Sequence, residues 1–255
     1  MEQVLSDLFD ISGRTAVVTG ASRGIGAALG KGLLDAGVNV IGVSTSHHDV
    51  PKGSGNYLHV VADLSKREEI RNLPGKCELL ASERGWSPIS LLINNAGIIR
   101  RADAIDYPES DWDLVLETDL TGPFLLAQAF APAMLAHRHG SIIFIASLLS
   151  FQGGIRVPAY TAAKSGLRGI VAALANEWAG FGVNVNGIAP GYIATDNTQA
   201  LRDDAARYAE ILNRIPAGRW GFPQDLVGAA LFLSSPAAAY IHGHILTVDG
   251  GWLGR

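Results

Sequence analysis

The sequence predicts an α/β fold, a doubly wound parallel sheet with helices on both faces. Two observations carry that prediction. Short apolar, β-branched runs alternate with helical stretches along all 255 residues. The first run leads directly into a glycine-rich turn and then a helix, the arrangement of a nucleotide-binding βα unit. No linker, repeat or low-complexity tract interrupts the pattern, so one domain over residues 1–255 is expected. With 48% apolar residues the chain can bury a large core.

Seven strands are expected, at Thr15–Thr19, Val38–Val43, Tyr57–Val61, Ser90–Ile93, Ser141–Ala146, Val183–Ile188 and His244–Val248. Helices between them include Ile25–Ala36, Trp112–Ala136 and Ala159–Ala179. In the last, Leu167, Ile170, Val171, Leu174 and Trp178 recur at helical spacing and read as core. The polar helical stretch from Asp196 to Pro216 is the softest region and is expected to close over a substrate as a lid (196–216).

Bulk properties exclude several functions. Net charge is −4 and no basic run occurs, which disfavours nucleic acid and anionic membranes as partners. Cys77 is the single cysteine, so no internal disulfide can form and a reducing compartment is expected. The opening MEQVLSDLFDISG carries no basic segment and no long apolar run. No apolar stretch approaches about 18 residues, so a soluble cytoplasmic protein is expected.

The chemistry-bearing residues fall in four places. After Thr19 comes Gly20-Ala21-Ser22-Arg23-Gly24-Ile25-Gly26, a strand-to-helix turn whose glycines let backbone approach a pyrophosphate at the helix N-terminus. Leu91–Gly97 is an apolar strand ending in Asn94, Asn95, Ala96 and Gly97, small residues able to pass beside a cofactor. Ser147 ends the apolar run SIIFIAS, and Tyr160 and Lys164 stand one helical turn apart in PAYTAAKSG. An ammonium group on the same helix face favours a phenolate, so this trio can move a proton while a hydride moves elsewhere. Asn184–Thr195 is a strand that stops at Pro190-Gly191, with Thr195 placed to reach a phosphate or carboxamide.

Taken in order, these motifs resemble the short-chain dehydrogenase/reductase family over nearly the whole chain. The resemblance implies a Rossmann-type sheet and an NAD(P)-dependent oxidoreductase with Tyr160 as general acid/base. Lys164 would hold the nicotinamide ribose and Ser147 would bind the reacting oxygen. It also implies cofactor contacts from Gly20, Ser22, Arg23, Gly24, Ile25, Gly26, Asp63, Leu64, Asn94, Ala96, Gly97, Pro190, Gly191, Ile193 and Thr195. A homotetramer is implied as well, pairing the helices that hold Asp119 and Tyr160 and the C-terminal strands, with Trp252 a candidate at the interface.

Two positions depart from the family pattern. Asp119 stands where an asparagine usually supports a proton relay to the lysine. It either serves through its backbone carbonyl or, as a buried carboxylate, pairs with Lys164. Ser44 stands where an acidic residue normally bonds the ribose 2′-hydroxyl and repels a 2′-phosphate. With Arg23 the nearby cation, and His47 and His48 mostly neutral at pH 7, use of either NAD or NADP is expected.

Segments outside the shared motifs resemble the sugar-acid branch of the family. A small sugar acid carries a carboxylate, and Arg100, Arg101 and Arg156 flank the catalytic segments; Arg101 is favoured as its anchor, then Arg156. Two alternatives stay open: a reductase of other small ketones, including 3-oxoacyl thioesters, and a dinucleotide-binding relative without catalysis. The pairs His137/His139 and His242/His244 lack an obvious third metal ligand, and this chemistry needs no metal.

Overall fold

A computed structural model describes residues 7–49 and 51–255. The first six residues, part of the opening segment interpreted above, lie outside the described residues. Seven strands form a single sheet in the order β3-β2-β1-β4-β5-β6-β7, and every neighbouring pair is parallel. They are β1 Thr15–Thr19, β2 Asn39–Ser44, β3 Tyr57–Val61, β4 Ile89–Asn94, β5 Gly140–Ile145, β6 Val183–Pro190 and β7 Ile245–Val248. The strand order reverses between β1 and β4, which opens a crevice at the carboxyl ends of those strands.

Helices cover both faces, so the inner strands are buried throughout and their side chains alternate between two cores. Val17, Leu92, Ile142 and Phe144 pack on one side, and Ala16, Val18, Ile93 and Ile143 pack on the other. The helices are α1 Gly24–Asp35, α2 Arg67–Ser82, α3 Glu109–Leu116, α4 Gly122–His137, α5 Pro158–Trp178, α6 Gln199–Asp203, α7 Ala205–Arg214 and α8 Val227–Ser234.

Most expected elements are present, with two instructive differences. The second strand begins one residue late, because the Val38 N–H bonds the Leu33 carbonyl (3.0 Å) and closes the turn after α1 instead of joining the ladder. The helix expected from Trp112 to Ala136 is not uniform: Glu117–Thr121 widens into a π turn between α3 and α4. Pro123 has no N–H for the Asp119 carbonyl four residues back, and the Gly122 N–H reaches Glu117, five back. The widened turn holds Asp119 and faces the crevice.

The stretch after β6 folds into a short turn, α6 and α7, with Asp204 capping α7 through the N–H groups of Ala206 and Arg207. Ile211 and Ile215 anchor it on Trp220, Trp252 and Leu148. Trp252, considered above for a subunit interface, is buried within the chain. It lies 4.7 Å from the Tyr192 ring centroid and under the Arg214 guanidinium. No helix among the described residues is long and apolar enough to cross a membrane.

Candidate active site

The crevice at the switch point is a cavity of about 460 Å³, a size suited to a small ligand and its cofactor. One end is a cradle made by the turn between β1 and α1. Gly20 and Gly24 adopt φ of +65° and +56°, the left-handed region glycine enters at little cost. At Gly26 the constraint is space: a Cβ would sit 2.2 Å from the Gly20 carbonyl oxygen and 2.4 Å from Asn95 Nδ2. The first turn of α1 carries no acidic residue and no side-chain cap. Its unpaired N–H groups therefore offer an uncontested anion site, which fits a dinucleotide pyrophosphate.

Thr19 and Asn95 fasten this cradle to the next strand. The Thr19 hydroxyl oxygen accepts from the N–H groups of Asn95 and Ala96, both at 3.0 Å, and Asn95 Nδ2 donates to the Thr19 carbonyl at 2.8 Å. The sequence reading gave neither residue this bracing role; the paired Thr-Gly and Asn-Asn at the ends of adjacent strands were the available signal. Gly26→Ala is expected to displace Asn95 and weaken dinucleotide binding roughly 10- to 100-fold, an overpacking cost of about 1–3 kcal/mol. Fluorescence titration with NADPH measures it, and an unchanged Kd would show that the turn can yield.

The proton-handling residues lie across the sheet. Ser147 follows β5 and caps a short 3₁₀ turn, its Oγ accepting from the Leu149 N–H at 3.1 Å. That bond uses the oxygen lone pair and leaves the hydroxyl proton to point elsewhere. Ser150, which the sequence reading missed, receives the Ser147 N–H at 3.3 Å and donates to the Lys164 carbonyl at 2.6 Å. It ties the β5 terminus to α5, and the Ser-x-x-Ser capping pattern was its signal. Helical spacing brings Tyr160 and Lys164 to the same face of α5, with Nζ 5.4 Å from the tyrosine ring centroid.

Lys164 is buried, and one of its three donor directions is taken by a hydrogen bond. Nζ donates to the Ile145 carbonyl at 3.0 Å and lies 3.5 Å from Asp119 Oδ2. Asp119 is fully buried, and its Oδ1 accepts the Ile98 N–H at 2.8 Å. Burial pushes its carboxyl above the ordinary carboxylate range, opposed by the Lys164 charge and the Ile98 N–H. Gly97 leaves it room: a Cβ there would sit 2.9 Å from Asp119 Oδ2, so the carboxylate would have to shift.

The cavity brings together Gly20, Ser22, Arg23, Gly24, Ile25, Ser44, Asp63, Leu64, Ala96, Gly97, Asp119, Ser147, Tyr160, Lys164, Pro190, Gly191, Ile193 and Thr195. Asn94 is not among them. It is buried with Nδ2 on the Pro123 carbonyl at 3.4 Å, and strand alternation gives its place at the cavity to Asn95. Gly26 packs behind the turn instead of lining it. Asp63 lines the wall but also accepts from Ser65 Oγ (2.7 Å) and the Ser65 N–H, bonds that hold its carboxyl below the usual range.

The arginines divide differently from the sequence expectation. Arg100 lines the cavity, 3.5 Å from Asp111. Arg101 lies outside the lining, its guanidinium donating to the Asn197 carbonyl at 3.0 Å. Arg156 pairs with Asp103 at 3.0 Å on the surface. Arg23 reaches across the cavity mouth to Asp196 at 3.0 Å. Among the described residues no group of three or more His, Cys, Asp or Glu side chains could hold a metal ion.

A doubly wound sheet with a glycine cradle at its switch point, facing a Ser-Tyr-Lys trio, defines a dinucleotide-dependent oxidoreductase. The chain belongs to the short-chain dehydrogenase/reductase family. A family model described as enoyl-(acyl carrier protein) reductase matches residues 20–253. The 2-dehydro-3-deoxy-D-gluconate 5-dehydrogenase of Escherichia coli (strain K12) is 47% identical over 253 residues, 97% of this chain and 98% of that protein. The crystal structure of a candidate 2-deoxy-D-gluconate 3-dehydrogenase from Agrobacterium tumefaciens with bound NADP superposes with a TM-score of 0.91 at 49% identity, covering 98% of this chain and all of that one. A gluconate 5-dehydrogenase from Burkholderia cenocepacia in complex with NADP and tartrate gives a TM-score of 0.89 at 34% identity, covering 98% and 99%.

Proposed function

We propose that this protein is an NAD(P)-dependent dehydrogenase of small deoxy sugar acids, with 2-keto-3-deoxygluconate as the expected substrate and its diketo partner as product. The observation that carries this reading is the placement of Ser147, Tyr160 and Lys164 on one cavity with the glycine cradle. The names of the similar proteins supply the substrate class. The polar mouth of the cavity, with Arg100, Asp196, Asn197 and Thr198, suits a sugar acid better than an acyl chain.

A dinucleotide held at the glycine cradle of Gly20, Gly24 and Gly26 would supply the hydride chemistry. Tyr160 takes the proton from the reacting hydroxyl in oxidation and returns it in reduction. Ser147, its oxygen already fixed by Leu149, donates its free O–H to the same substrate oxygen. Lys164, held from behind by the Ile145 carbonyl and the Asp119 charge, keeps its ammonium 5.4 Å from the Tyr160 ring centroid, where its remaining N–H groups would hold the ribose hydroxyls. Asp119 completes the relay from beneath, by its carboxylate on Lys164 and by a backbone carbonyl to which Pro123 offers no N–H. The stretch 196–216 acts as a lid over the single domain 1–255.

A homotetramer is part of this reading: Phe124, Leu125 and Leu135 of α4 pack at the margin of the core and are only half-buried in one chain. A buried free thiol at Cys77 accords with a reducing cytoplasm. The test is formation of reduced nicotinamide from 2-keto-3-deoxygluconate with NAD⁺ and with NADP⁺; silence with both overturns the substrate reading. Arg100, which lines the cavity, takes the place expected of Arg101: Arg100→Met is expected to raise KM roughly tenfold for this acid, about 1.4 kcal/mol, while sparing a neutral analogue. Equal effects on both substrates, or a larger acid-specific effect of Arg101→Met, would remove Arg100 as the carboxylate anchor.

A further inference from the structure

Ser44 ends β2, three strands from the end of β5 where Ser147 stands, or roughly 14 Å at about 4.8 Å per strand. The end of the second strand is where an acidic side chain selects a ribose 2′-hydroxyl, or a cation a 2′-phosphate. Ser44 supplies neither, and its hydroxyl is already committed. Oγ donates to the Ser46 carbonyl at 2.8 Å, while His59 Nε2 (2.8 Å) and His48 Nδ1 (3.2 Å) converge on the same oxygen.

The tautomers assigned from this network form a closed set. With its proton on the Ser46 carbonyl, Ser44 accepts N–H bonds from both rings. His48 Nε2 then accepts the Tyr57 hydroxyl at 2.8 Å, and His59 Nδ1 accepts the His47 Nδ1–H at 3.2 Å. The His48 and His59 ring centroids are 4.3 Å apart, and those of His47 and His59 are 5.0 Å apart. Each of these bonds is satisfied with all three imidazoles neutral; protonation of His48 or His59 places charge on a direct neighbour of Ser44, and protonation of His47 places it one ring further out.

The other ionisable groups around the cluster include a phenol, two carboxylates and the cations Lys76 and Arg23. Burial pushes the Tyr57 phenol up to about 12, so it remains a neutral donor. Burial, then His48, His47 and Lys76 of α2, hold His59 below the usual imidazole range. Asp49 shares the loop with His47 and His48, Asp63 lies at the end of β3 bonded to Ser65, and Arg23 on the glycine turn is paired with Asp196.

We propose that His47 and His48 are cofactor-selecting residues: neutral, they leave a wall that takes an adenosine 2′-hydroxyl, and protonated, they anchor an adenosine 2′-phosphate. This rests on the dinucleotide-binding reading above. Imidazole is the side chain whose ordinary titration spans about pH 5–8, so preference for NADP over NAD rises as pH falls through that window. The ligand cannot imitate this, because a phosphate monoester has its second pKa near ~6 and loses charge on acidification. By linkage, a 2′-phosphate ligand must take up protons when it binds.

The experiment is calorimetric titration of the full-length protein with adenosine 2′,5′-bisphosphate and with 5′-AMP at pH 6 and pH 8, in buffers of different ionisation enthalpy. The ratio of the two affinities is expected to rise roughly tenfold from pH 8 to pH 6, with more proton uptake for the bisphosphate than for 5′-AMP, whose own phosphate also titrates near ~6. In His47→Asn, and in His47→Asn/His48→Gln, the ratio should be flat or fall with acidification, leaving the pH-independent share owed to Arg23. A wild-type ratio that stays level or falls overturns the proposal, as does a double variant that keeps the rise. Absence of 5′-AMP binding at both pH values would overturn the dinucleotide reading itself and this inference with it.

Discussion

Tyr160→Phe is expected to lower kcat by ~10²–10⁴-fold, equivalent to roughly 3–5 kcal/mol of transition-state stabilisation. The phenylalanine ring keeps the packing: Tyr160 lies against the small cluster of Val115, Ala159 and Ala163, and that contact needs only the ring. What disappears is the hydroxyl proposed to exchange a proton with substrate in the cavity that Ser147 also lines. Lys164 cannot replace it, since its ammonium is turned to the Ile145 carbonyl and Asp119. Dinucleotide affinity should change little, because the glycine cradle lies on the other side of the switch point. Steady-state turnover with 2-keto-3-deoxygluconate, beside NADPH fluorescence titration of the same variant, separates the two effects. Retention of more than about a tenth of kcat would assign the proton transfer to another group.

Local chemistry made much of this legible before any coordinates. Seven apolar runs marked the strands, and glycine spacing marked the cradle, because both signals depend on neighbours within a few residues. The same holds for Tyr160 and Lys164, whose relation is one helical turn. What escaped the sequence reading depends on contacts between distant segments. Asn94 and Asn95 are chemically equal in sequence, and only strand alternation decides that Asn95 reaches the cavity while Asn94 faces Pro123. Arg100, Arg101 and Arg156 are equally charged, and the loop paths alone put Arg100 on the cavity wall and give the other two surface partners. The histidine cluster joins His47 and His48 to His59 on another strand, so its convergence on Ser44 could not be read from spacing.

Lys164→Met is expected to destabilise the protein as well as inactivate it, with a pH dependence that identifies the cause. In the wild-type fold the ammonium lies 3.5 Å from Asp119, a carboxyl with no exposed surface and no hydrogen-bond partner for Oδ2. Removing one member of a buried ion pair typically costs about 3–5 kcal/mol, because the other charge is left uncompensated. The Asp119 carboxyl is already raised by burial, and loss of Lys164 removes the largest influence holding it down. An acid whose folded pKa is raised contributes full stability below its unfolded value, near ~4, and loses that contribution as pH rises through the folded value. The Tm deficit of Lys164→Met should therefore be small near pH 5 and grow toward pH 8. Asp119→Asn is expected to keep turnover with a modest shift of pH optimum. Asp119→Asn/Lys164→Met should recover most of the lost Tm without recovering activity, since the amide needs no counter-charge but the ribose has lost its ammonium. A deficit independent of pH, or one the added asparagine does not relieve, would mean that Lys164 stabilises the fold through its Ile145 bond alone.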